Sequence, residues 1–181
     1  MRLLGLKLAN ILLLFVLVLF LTLVQTSIWY QMFYPVPPAS FWLPVVVYLS
    51  LYRRLSSGIL TIYLLGILLN AMTSMPLYLM LLSLLSVFLV TRAVRVRFHW
   101  NGATYIMLSC AVAVMTFHIS VWLLSLIFET NNLSQPNYTS WFMQLVLTPL
   151  ITPFLFTICS MIDQFTQYEA LDDVGWGTYE F

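Results

Sequence analysis

A chain of 181 residues that is 62% hydrophobic and 7% charged cannot solvate the surface of a soluble globule, which carries about 25% charged residues. The formal net charge of +1 gives no nucleic-acid signature. Lipid must therefore be the solvent for most of the surface, and the expected fold class is an all-α, polytopic integral membrane protein.

Crossing the hydrocarbon core takes about 20 apolar residues in a helix. The first run, Leu8–Ile28, meets that length. Arg2 and Lys7 precede it as they would a secretory signal, but the run exceeds an h-region of about 7–15 residues. Trp29, Tyr30 and Gln31 follow instead of a small-residue cleavage site. It is read as a retained transmembrane helix. Pro35, Pro37 and Pro38 then predict a loop. Phe41–Tyr52 and Gly58–Asn70 are the second and third runs, each about a dozen residues and rising about 18 Å. They either extend into their flanks, with Arg53 and Arg54 snorkelling, or form a re-entrant hairpin. Pro76–Thr91 is the fourth run, with its proline at a helix start. Ala103–Phe128 is the fifth. Trp141–Ile162 is the sixth, with Pro149 and Pro153 inside it.

The basic residues order these runs. Arg2 and Lys7 precede run one, Arg53 and Arg54 separate runs two and three, and Arg92, Arg95 and Arg97 separate runs four and five. The other loops hold no Lys or Arg. By the positive-inside rule, six transmembrane helices, the second and third short, place both termini in the cytosol. Four or five spans is the alternative. Trp29, Tyr30, Phe33, Tyr34, Phe41 and Trp42 fill the first outer loop, as interfacial aromatics do. Two domains are expected: a transmembrane domain over residues 1–162 and an acidic cytosolic tail over 163–181. The tail carries Asp163, Glu169, Asp172, Asp173 and Glu180.

Little chemistry is on offer. None of the six runs contains Asp, Glu, Lys or Arg, which argues against a proton-coupled pump and against acid–base catalysis inside the membrane. No catalytic residue, cofactor site or metal site is expected. Cys110 and Cys159 read as small core residues. His118, near the middle of run five, either shuttles a proton or binds a ligand, or is a neutral imidazole bonded to a neighbouring helix. Cys110, Met115 and His118 share that helix without converging on one face. Arg92, Arg95 and Arg97 either rest on anionic headgroups or contact a cytosolic partner. The tail, with Trp176, Tyr179 and Phe181, either inserts into a partner's groove or is a solvated terminus. Sequons at Asn132 and Asn137 lie in the predicted third outer loop.

One stretch has a family look. Pro38-Ala-Ser-Phe-Trp-Leu-Pro-Val-Val-Val-Tyr48 is followed by Leu51-Tyr52-Arg53-Arg54 and then by Leu65-Gly66-Ile-Leu-Leu-Asn70. Over about residues 38–90 this resembles MreD, the bacterial rod shape-determining membrane protein family. The chain departs from it at Asn70, where the family has Asp, and at Ser74 and Tyr78, near which the family has glycines. Gly66 and Asn70, four apart, share a helix face, suited to a close helix crossing with a polar clasp. That crossing serves internal packing or a partner.

The resemblance implies a non-enzymatic scaffold subunit of the cell-elongation complex in the bacterial inner membrane. Its partners would be an MreC-like membrane protein, an MreB-like actin filament, the synthases RodA and a penicillin-binding protein, and membrane lipids. Tyr48, Gly66 and Asn70 are its candidate packing or partner residues. Arg53, Arg54, Arg92, Arg95, Arg97 and Trp176 are candidate cytosolic contacts. The MreD fold is thought to resemble the substrate-binding subunits of energy-coupling-factor transporters. A small-molecule-binding membrane subunit is therefore the alternative, with Asn70, His118, Gln144 and the first-loop aromatics as its polar candidates.

Overall fold

The computed structural model describes residues 2–34, 36–73, 75–97, 102–128 and 137–166, and of residues 2–7 the backbone alone. Residues 167–181 of the acidic tail, Trp176 among them, Glu129, Ser74 and the sequon at Asn132 lie outside the described residues, as do the side chains of Arg2 and Lys7. Among the described residues there are six helices and no strand. Four are long and apolar enough to cross a membrane, and two are shorter.

Helix α1 runs over Arg2–Leu23, through a π-helical segment Val24–Ile28, and on through Trp29–Phe33 without a break. Threonine back-bonding accompanies the widening. The Thr22 hydroxyl donates to the Val18 carbonyl at 2.7 Å and the Thr26 hydroxyl to the Thr22 carbonyl at 2.9 Å. Such back-bonding competes with the helical ladder and bends it. Trp29 and its neighbours, expected in a loop, thus extend α1 toward solvent depth.

Helix α2 (Leu43–Tyr52) is the centre of the molecule. It has no polar face, and a helix apolar all round is buried. Every residue from Leu43 to Leu51 is buried, and α2 touches all four helices that follow it. These are α3 (Leu55–Asn70), α4 (Leu77–Arg97), α5 (Ala103–Phe128) and α6 (Tyr138–Phe165). With 10 residues it rises about 15 Å, half of a hydrocarbon core of about 30 Å. The chain reaches its start by an irregular segment. Pro38, Ala39 and Ser40 are already buried there, and a turn with Leu43 N–H donating to the Ser40 carbonyl at 3.1 Å opens the helix. Trp29 braces this descent: its indole N–H donates to the Val36 carbonyl at 3.1 Å, and its ring meets Phe41. Irregular backbone at membrane depth is tolerated only when protein or a cavity surrounds it.

Two consequences correct the sequence reading. Phe41 and Trp42, expected at the membrane interface, are buried at 9% and 7% exposure, because α2 begins inside the bundle. Arg92, Arg95 and Arg97, expected in a loop, are the last turns of α4.

Consecutive helices run antiparallel, so the bundle has two ends. One end gathers the start of α1, the Arg53–Arg54 turn, the end of α4, the start of α5 and the end of α6. The other gathers the end of α1, the start of α2, the end of α5 and the aromatic start of α6. They are called the basic and the aromatic end below.

Candidate functional site

Each end carries a polar cluster set in apolar packing. At the basic end, Arg53 is buried and its Nη2 donates to Asp163 Oδ1 at 2.6 Å. The same nitrogen donates to Asn10 Oδ1 at 2.7 Å. Asn10 Nδ2 in turn donates to Asp163 Oδ1 at 2.8 Å and to Thr166 Oγ1 at 2.7 Å. The Tyr48 hydroxyl donates to the other carboxylate oxygen, Oδ2, at 2.7 Å. The cluster ties α1, α2 and α6 together across 153 residues of chain between Asn10 and Asp163. Asp163, read from the sequence as the first residue of the tail, belongs to α6, which runs through Phe165. A buried charge persists only when paired and hydrogen-bonded, and here one carboxylate accepts from three residues.

Two more arginines finish this end. Arg92 Nη1 donates to the Arg53 carbonyl at 3.0 Å, and Arg95 Nη1 donates to the Leu51 carbonyl. A helix leaves its last carbonyls without partners and carries partial negative charge there. Because α2 stops inside the bundle, water is not the natural partner, and a cation three residues from another on α4 serves both. The sequence left these arginines open to headgroups or a partner; the described bonds use them inside the chain. Arg54, Arg95 and Arg97 are exposed.

The three residues of the Tyr48–Gly66–Asn70 spacing do not meet. Tyr48 joins the basic cluster. Gly66 is buried against α4, where an added Cβ would lie 2.7 Å from Leu81 Cδ2 and 3.0 Å from Leu84 Cδ1. Its close crossing is therefore internal. Asn70 is the last residue of α3, half-buried, and its Oδ1 has no partner among the described residues.

Toward the aromatic end, His118 and Gln144 do meet. Gln144 Oε1 lies 2.9 Å from His118 Nε2 and accepts from the Ser40 hydroxyl at 3.0 Å. The Ser40 backbone N–H donates to Thr148 Oγ1 at 3.1 Å. The imidazole stacks on Trp141, with centroids 5.0 Å apart and planes 22° apart. Trp42 packs on Phe117 beside it, at 5.1 Å. Cys110 is buried and Met115 exposed on the same helix as His118, so the three do not converge. Among the described residues no group of three His, Cys, Asp or Glu could hold a metal ion.

Sequence reasoning missed Asn10, Ser40, Thr148 and Thr166. Asn10 carried a readable signal, as an amide in the otherwise apolar first half of run one, and polar groups there usually have a reason. Ser40 carried none, since its value comes from the descent of the chain beside α6. A scan against protein-family models, a search of curated proteins and a search of solved structures each returned no match.

Proposed function

We propose that this chain is a multi-pass scaffold subunit of the bacterial cell-elongation complex, of the MreD type, in the inner membrane. It acts by holding partners through helix association and carries out no chemistry of its own. One observation supports this reading above others. The stretch with the family resemblance, from Pro38 through Tyr48 and Arg53 to Gly66 and Asn70, forms the hub around which the other helices pack. A segment that organises the whole bundle is where a family's pattern should be strongest, because packing there tolerates least.

The basic end then faces the cytosol and the aromatic end the outside, as the positive-inside rule requires. All six helices cross, with α2 and α3 completed by their flanking segments, and both termini are cytosolic. Arg54 and Arg97 present positive charge to an MreB-like filament or to anionic lipid, and Trp176 of the tail adds an uncharged contact. The apolar outer faces of α1, α5 and α6 are the surfaces for an MreC-like protein, RodA and a penicillin-binding protein. Gly66 and Tyr48 serve these contacts indirectly, by holding the bundle's shape.

Deleting the gene in its host tests the reading. Rod-shaped cells should round up and incorporate less wall precursor, and a plasmid copy should restore both. Unchanged shape and wall synthesis would overturn the scaffold function. A reporter fused after Phe181 that is active only outside the cytosol would overturn the orientation.

A further inference from the structure

The cluster around His118 has hydrogen-bonding capacity that the chain does not use. Gln144 Oε1 accepts twice, from Ser40 and from His118. Accepting from His118 assigns the proton to Nε2, which leaves Nδ1 as an acceptor. Neither Nδ1 nor the Gln144 amide N–H groups have a partner among the described residues. His118 and Gln144 are both only half-buried. One open acceptor and open donors thus lie on neighbouring helices, between α5 and α6. Trp141 and Tyr138, whose rings meet at 5.9 Å, lie on the side of the aromatic end. Because His118 and Gln144 are half-buried, this spare capacity is open to a ligand that can pair with it.

We infer that this is a binding site for a neutral, hydroxyl-bearing ligand of the sugar or polyol class, entered from the aromatic end. A hydroxyl both donates and accepts, which matches an imidazole nitrogen and an amide N–H together. Charge of either sign fits poorly. The charged side chains described in the bundle lie at the other end, so an ion here would be buried without a counter-charge. Aromatic faces such as Trp141 suit the apolar C–H face of a sugar ring, because one side of the ligand is apolar and the rest polar. Ser40 sets the floor: its hydroxyl orients Gln144, and its backbone N–H is held by Thr148. The irregular descent from Val36 to Trp42 brings Ser40 beside α6, where it meets Gln144 and Thr148. The same chemistry is offered by a glycolipid headgroup in the bilayer and by a free sugar in water.

The test uses the full chain in phosphatidylcholine nanodiscs, labelled with ¹⁵N-histidine, with His118 assigned through H118Q. One arm adds monoglucosyl diacylglycerol to the bilayer, and the other adds glucose to the buffer. A saturable shift of the His118 Nδ1 resonance is expected in at least one arm, and the arm that responds names the source. Gln144→Leu should weaken that binding about tenfold, the effect of one good hydrogen bond, whereas T157V on the outer face of α6 should leave it unchanged. No shift in either arm, or equal binding by Gln144→Leu and the natural chain, would overturn the site. If Gln144→Leu fails to fold, Ser40→Ala takes its place, and the titration of the natural chain decides by itself.

Discussion

The two ends of the bundle solve the same problem by different means. Each must satisfy polar groups where the short helix α2 stops inside apolar surroundings. At its C-terminal end α2 meets full charges: Arg53, Arg92 and Arg95 against Asp163 and two backbone carbonyls. At its N-terminal end it meets neutral groups: Ser40, Thr148, Gln144 and His118. The charged end is closed, with both carboxylate oxygens taken by buried partners. The neutral end is half-open, with donors and an acceptor left over. The contrast assigns stability to the first and adaptability to the second, since a buried charge punishes any loss of its partner far more than a neutral amide does.

The sharpest way to break that contrast is Asp163→Asn. It keeps the shape of the side chain and removes the carboxylate charge that buried Arg53 faces at 2.6 Å. Removing one partner of a buried pair costs about 3–5 kcal/mol, read here as a lowered midpoint of unfolding in mixed micelles. Replacing both partners, with Arg53→Met and Asp163→Leu, should recover much of the loss, because two apolar side chains have no charge to strand. If Asp163→Asn unfolds at the natural midpoint, the charged end is not the stabilising one.

Tyr48→Phe is the next step down. It removes one donor to Asp163 and nothing else, and a hydrogen bond to a charged group is worth about 1.5–3 kcal/mol. Gln144→Leu at the neutral end should cost less, about 1 kcal/mol, because it breaks two neutral bonds and also removes unsatisfied donors. The order of these two in the same unfolding assay is the point. A larger loss for Gln144→Leu than for Tyr48→Phe would reverse the roles of the two ends.

Which parts were legible in the sequence follows from the physics. Helix α5 was found at its true bounds, because a long apolar run between polar flanks needs no partner to be recognised. The short second and third runs were also visible, as was the shared end of the arginines. What the sequence hid was depth. Phe41 and Trp42 look interfacial until α2 is known to start inside the bundle. Arg92 and Arg95 look like a loop until the carbonyls of Leu51 and Arg53 give them a reason to stay helical. Asp163 looks like the beginning of a tail until Arg53, 110 residues earlier, is placed beside it. Pattern and composition report the solvent each segment prefers. They do not report which two buried groups meet.

The smallest expected effect separates two glycines that the sequence cannot tell apart. Gly58 and Gly66 both lie in α3 and both let α4 come close. At Gly58 an added Cβ would lie 2.9 Å from two ring carbons of Phe88, a side chain at 0% exposure in the centre of the core. A flat ring held on all sides has no rotamer to retreat to, so Gly58→Ala should cost about 1–2 kcal/mol through overpacking. At Gly66 the nearest atoms are the ends of Leu81 and Leu84. Leu81, which makes the tighter approach, is only half-buried and can swing its methyl group outward. Alanine also gains about 1 kcal/mol over glycine in a helix interior, which offsets the shift. Gly66→Ala should therefore unfold within about 0.5 kcal/mol of the natural chain. If instead Gly66→Ala proves as costly as Gly58→Ala, the α3–α4 crossing is tight along its whole length, and the rigidity assigned to the basic end extends toward Asn70.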